Sequence, residues 1–144
     1  MKRVIIESPF AGRGETDEER LKDNLENINY ARSCVRYCIL QGEAPIASHL
    51  LYTQDGILKD GVHQERMLGI QAGLTWFRVS EGIYFFTDRG WSKGMIGALE
   101  FYKRNNVLRE KISIRALEPN GRKLPETLPT HLLSYVLDIF SLDK

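Results

Sequence analysis

The run Ile83-Tyr84-Phe85-Phe86 restricts the fold more than any other feature, because consecutive bulky apolar residues in an extended chain put large side chains on both faces of a sheet. Such a strand needs cover from two sides, as a central strand of a parallel sheet receives from flanking helices. Val4-Ile5-Ile6 repeats the pattern near the start of the chain. Each run breaks into a polar, glycine-containing stretch. Ser8-Pro9-Phe10-Ala11-Gly12-Arg13-Gly14 follows the first and Asp88-Arg89-Gly90-Trp91-Ser92-Lys93-Gly94-Met95 the second.

Helical periodicity fills the intervals. From Asp17 to Leu40, Leu21, Leu25, Ile28, Ala31, Cys34, Val35, Cys38 and Ile39 recur at helical spacing, and Gly42 ends the pattern. Ala44 to Ala47 reads as a weak strand whose Pro45 belongs at a strand start or an edge, and 51–61 as a long loop. A second helix over 62–78 carries Met67, Leu68, Ile70, Ala72, Leu74 and Phe77. A third spans 95–105, after the strand at 82–87, and a fourth strand covers 112–117. Residues 118–129 are turn-rich, and Thr130 is placed to cap a last helix running to Phe140.

The order β-α-β-α-β-α-β-α predicts an α/β fold, a small Rossmann-like or flavodoxin-like three-layer domain with a mainly parallel four- or five-stranded sheet. A chain of 144 residues with 42% hydrophobic side chains fits one domain over 1–144, with 118–144 as a C-terminal arm and helix. The formal net charge of +1 creates no general field for polymeric nucleic acid or anionic lipid. No 18-residue apolar run is present, and MKRVIIESPF leads straight into a strand, so a cytoplasmic protein with Cys34 and Cys38 reduced is expected.

In this fold class ligands bind beyond the strand C-termini, where strand order reverses. That rule brings Ser8 to Gly14, His49 and Asp88 to Gly94 together. Ser92-Lys93-Gly94-Met95 is either a phosphate cradle at a helix start or a serine cap with a turn glycine. Neither GxxxxGK[ST] nor GxGxxG occurs. Asp88 either holds ribose hydroxyls and orients a base or terminates the strand. His49 is an acid, a base or a structural histidine. Glu7 is either a rim carboxylate or the half-buried partner of an arginine, and Arg66 either holds phosphate or pairs with a nearby acid. Glu100 faces the crevice or balances Lys103 and Arg104. Phe10 and Trp91 follow strands among polar residues, where an aromatic plane can close over a heterocycle. The scattered histidines form no close metal-ligand array, so no metal is expected.

The ordered segments Ile5-Ile6-Glu7-Ser8-Pro9-Phe10, Asn29-Tyr30-Ala31, Gly42 to His49, Glu65-Arg66 with Gly69, and Ser92-Lys93-Gly94-Met95 leading to Glu100 resemble the nucleoside 2-deoxyribosyltransferase-like superfamily. The nearest likeness is to its small nucleotide N-glycosidases and bacteriophage relatives. The resemblance spans about residues 3–106. It implies cleavage or transfer at the N-glycosidic bond of a deoxynucleoside or nucleoside monophosphate, without metal or redox cofactor. It implies that Glu100 is the nucleophile, that Ser92 and Gly94 hold the 5′-phosphate, and that Ser8, Pro9 and Phe10 line the sugar and base pocket. Asp88, His49 or a water would then handle the protons, within the cytoplasm of the host if the chain is phage-encoded.

A second expectation on the same scaffold is a protein that binds or sequesters a nucleotide, including a signalling nucleotide, without cleaving it. Self-association is also expected, from the aromatic content outside the strongest strands and from the likeness to oligomers.

Overall fold

The computed structural model describes residues 1–117. The proposed arm, Thr130 cap and last helix lie outside these residues. β1 is Lys2–Glu7, β2 Glu43–Ile46, β3 Gly82–Phe86 and β4 Ile112–Arg115. The helices are α1 Asp17–Leu40, the single turn α2 Ser48–Leu51, α3 His63–Thr75 and α4 Lys93–Arg104, with 3₁₀ turns at Trp76–Arg78 and Arg109–Lys111.

All strand pairs are parallel, in the order β2-β1-β3-β4. Ile5 pairs with Ile46 on one side and Ile83 on the other. The period of two in β1 and β3 then sorts their apolar residues into two cores. Val4, Ile6, Tyr84 and Phe86 pack with Cys34 and Cys38 of α1, while Ile5, Ile83 and Phe85 pack with Met95, Ala98 and Tyr102 of α4. Leu74 and Phe77, from α3 and the turn after it, close the second layer. The result is the three-layer Rossmann-like arrangement with a four-stranded parallel sheet among the described residues. β1 connects to β2 on one side and the chain then crosses to β3 on the other, so the reversal point lies between β1 and β3.

The long helix begins where the sequence pattern begins, but its buried stripe is different. Leu21, Leu25 and Ile39 are exposed, and the buried residues are Asn27, Ala31, Cys34, Cys38 and Leu40. The physical reason lies in what the first half of α1 covers. It packs beneath the polar loop after β1, and only its second half reaches the sheet. Thr16 starts the helix through a capping box with Glu19. Met67, Leu68 and Ile70 on α3 are likewise exposed, and segment 51–61 opens with the last residue of α2.

Both cysteines are free and buried against the sheet. Burial pushes both thiols up, Cys38 to about 12, so neither is a thiolate at neutral pH. Among the described residues no helix is long and apolar enough to cross a membrane.

Candidate functional site

A cleft of about 760 Å³ opens beyond the C-terminal ends of β1, β2 and β3. That is within the usual range for a small-molecule site. Its walls include Ser8, Pro9, Phe10, His49, Arg66, Trp91, Ser92, Lys93, Gly94 and Met95, brought together from separate parts of the chain.

Side chains of α1 hold one wall in place. Asn24 and the fully buried Asn27 donate to the Phe10 carbonyl, and Asn27 also donates to that of Ala11. Gly12 presses so closely on α1 that a Cβ there would lie 1.7 Å from the Arg20 carbonyl oxygen. Arg89, from the loop after β3, donates to Asn27, Asp23 and Glu26, while the Arg13 guanidinium donates to Asp23 and to the Arg89 carbonyl. The two loops that frame the cleft are therefore fastened to one helix and to each other. The sequence signal for this was Asn27, a polar residue in register with Ala31, Cys34 and Cys38.

The floor carries two polar pairs. Ser8 Oγ and His49 Nε2 are 2.8 Å apart, and Phe10 meets the imidazole edge-on. Burial pushes His49 down to about 4, so the ring is neutral at physiological pH. Beside this pair, Glu7 Oε1 accepts a hydrogen bond from the Tyr102 hydroxyl at 2.6 Å. Burial pushes the Glu7 carboxyl up to about 7, against the smaller opposing pull of the Tyr102 hydrogen bond. Glu7 is the carboxyl at the cleft floor. An arginine partner, one of its two sequence readings, is absent among the described residues.

At the opposite wall, Ser92 caps α4 by accepting from the Met95 amide at 3.2 Å. The cap leaves the Lys93 and Gly94 amides, the first two of the helix, without intrahelical acceptors. Cap and anion site are thus compatible readings of one loop. Lys93 is the first residue of α4, and there is no acidic residue in that turn. A cation at the positive end of a helix dipole is locally unfavourable, and an anion between them relieves the repulsion. Arg104, one helix length away, also lines the cleft, whereas Arg66 is paired with Asp60 at 2.8 Å. Trp91 stacks on Phe85, with ring centroids 5.2 Å apart and planes at 27°. Gly90 has φ of 81°, a turn conformation that delivers Trp91 to this position.

The structure does not bring Glu100 or Asp88 into the cleft. α4 starts at Lys93, and its cleft stripe is Gly94, Gly97, Ala98 and Phe101. Glu100 is rotated about 100° from Phe101 and is exposed. Asp88 turns toward α1, where its Oδ2 accepts from the Tyr30 hydroxyl and the Leu117 amide. Its backbone amide donates to the Tyr30 oxygen at 3.0 Å. It ends β3 and fastens the sheet to α1, which is the strand-terminating reading. No group of His, Cys, Asp and Glu capable of holding a metal occurs among the described residues.

The fold and the cleft define a three-layer α/β domain with a crevice at the strand reversal point. A family model for a domain of unknown function, DUF7768, matches residues 2–112, and the chain belongs to that family. No curated protein and no solved structure matches the chain.

Proposed function

We propose that the cleft binds a nucleoside 5′-monophosphate or a related small nucleotide, with the phosphate at the start of α4 and the heterocycle against Phe10 and Trp91. The observation that carries this reading is Lys93. Lys93 is the first residue of α4, where its charge opposes the helix dipole without a partner among the described residues, and it lines the same cleft as Phe10 and Trp91. A ligand with an anionic end and a flat apolar body answers both walls.

Binding without cleavage is the form of this proposal that the geometry favours, because Glu100 lies outside the cleft. Hydrolysis of the N-glycosidic bond is the second reading. Glu7 supports it, being a carboxyl within the cleft at a titration point suited to acid–base work.

Titration calorimetry of each nucleoside 5′-monophosphate beside its nucleoside tests the first reading. The phosphate is expected to tighten binding by about tenfold or more, the size of one charge-assisted anion contact. Equal affinities would remove the phosphate from the assignment. Chromatography of free base after incubation with wild type and Glu7→Gln tests the second, which fails if the wild type releases none.

A further inference from the structure

We propose that Glu7 meets the bound nucleotide as a neutral carboxylic acid, donating a hydrogen bond to an acceptor atom of the ligand, so that binding takes up a proton from solvent. This rests on the nucleotide reading of the cleft and goes further by assigning the floor contact and the protonation state that makes it.

The argument starts from the surroundings of the carboxyl. Glu7 ends β1, the central strand flanked by β2 and β3, and it lines the cleft. Oε1 is taken by the Tyr102 hydroxyl. That hydroxyl has little freedom, because the Tyr102 ring is fully buried and makes edge-to-face contacts with Phe77, Phe85 and Phe101. With Oε1 acting as acceptor, a proton on the carboxyl belongs on Oε2, which has no other hydrogen-bond partner among the described residues.

The charged and titratable groups that share the cleft decide which protonation state a ligand meets. Arg13 comes from the loop after β1, His49 from α2, Asp60, Glu65 and Arg66 from the α3 side, and Lys93 and Arg104 from α4. Arg13 is paired with Asp23, Arg66 with Asp60, and Glu65 accepts from the Lys59 amide. His49 is held neutral against Ser8. Lys93 and Arg104 make no ion pair with Glu7. A phosphate at the start of α4 engages the nearest cation and adds negative charge to the cleft, and both effects disfavour an ionised Glu7. The Glu7 carboxyl titrates at about 7, so above that pH a ligand that takes its neutral form must draw a proton in.

The test is calorimetry of the 2′-deoxynucleoside 5′-monophosphates at about pH 8, in two buffers that differ in ionisation enthalpy. Wild type is expected to take up close to one proton per nucleotide bound, and its affinity to fall about tenfold per pH unit above the titration of Glu7. Glu7→Gln keeps the shape and supplies a permanently neutral amide donor, so its affinity is expected to be flat with pH and its proton uptake nil. Where Glu7→Gln fails to fold, Tyr102→Phe serves. It removes the hydroxyl that favours the anion, so the break in the affinity profile is expected at higher pH. Nucleotide binding with no proton uptake, or uptake that persists in Glu7→Gln, would overturn the assignment of Glu7 while leaving the nucleotide reading standing. No binding of any nucleotide would overturn that reading and this one with it.

Discussion

The Tyr102 hydroxyl donates to Glu7 Oε1 across 2.6 Å and so joins the end of the central strand to the helix that forms the opposite cleft wall. The residues are far apart in the chain and meet only because β1 and β3 are adjacent and α4 folds back over both. The bond favours the ionised form of Glu7. Tyr102→Phe is therefore expected to destabilise the protein by about 1 kcal/mol below about pH 6 and by about 2 kcal/mol above about pH 8, where the bond is charge-assisted. Urea denaturation at the two pH values checks this. An equal loss at both would place the cost in packing instead.

Glu7 and His49 make opposite contributions to stability against pH. Glu7 moves from its ordinary 4.5 up to about 7 on folding, so the folded state holds a proton that the unfolded state has released, and stability falls as pH rises through that interval. His49 moves from 6.5 down to about 4, so the unfolded state holds the extra proton and stability falls as pH drops through its interval. Over the shared range the two slopes cancel. Glu7→Gln is expected to expose the histidine slope, with stability rising from pH 4.5 to 6.5 by on the order of 2 kcal/mol. His49→Gln is expected to expose the reverse slope. Thermal melts across this range decide the matter, and a variant profile parallel to wild type would refute the pairing.

The layer order was legible because it depends on local apolar patterns. Ile83 to Phe86 and Val4 to Ile6 announce two-sided burial, and two covered faces with parallel crossovers leave little choice of architecture. The strand-end rule likewise collected Ser8, Phe10, His49, Trp91 and Ser92 into one cleft before any side chain was placed. What stayed hidden was rotation and parity. Glu100 and Ala98 belong to the same helix, and only the start of α4 at Lys93 determines which of them faces the cleft. Asp88 and Trp91 share a loop, yet one turns to Tyr30 and the other to Phe85. Glu7 was placed at the rim of β1 by its position, but its partner was not legible, because Tyr102 reaches it through packing that no local pattern encodes.

Ile5 is 3% exposed and lies between Ile46 and Ile83, facing the α4 layer. Ile5→Asp puts a carboxylate where no partner is present among the described residues, and a loss of about 4 kcal/mol or more is expected. Gly12→Ala is a second probe of the same framework at the cleft edge, where the new Cβ would collide with backbone rather than with a movable side chain. The first is expected to abolish cooperative unfolding and the second to lower the melting temperature. Near-native melts for both would contradict the sheet core and the loop-on-helix contact.

Lys93 gives a prediction in which stability and binding move in opposite directions. A lysine at the first position of α4 works against the helix dipole, and its side chain has no acidic partner among the described residues. Lys93→Gln is therefore expected to stabilise the empty protein by about 0.5 kcal/mol, the usual size of one charge at a helix end. The same change removes the cation assigned to the phosphate, so affinity for a nucleoside 5′-monophosphate is expected to fall about tenfold while affinity for the nucleoside stays level. Glu100→Gln is the internal control, because its carboxylate lies outside the cleft, and it is expected to leave nucleotide affinity within about twofold. Melting curves and calorimetry on the same preparations read both signs. Lower stability with unchanged affinity in Lys93→Gln would make Lys93 a structural residue and move the phosphate elsewhere in the cleft. A large loss in Glu100→Gln would instead return Glu100 to the site, by way of an α4 rotated relative to the arrangement described above.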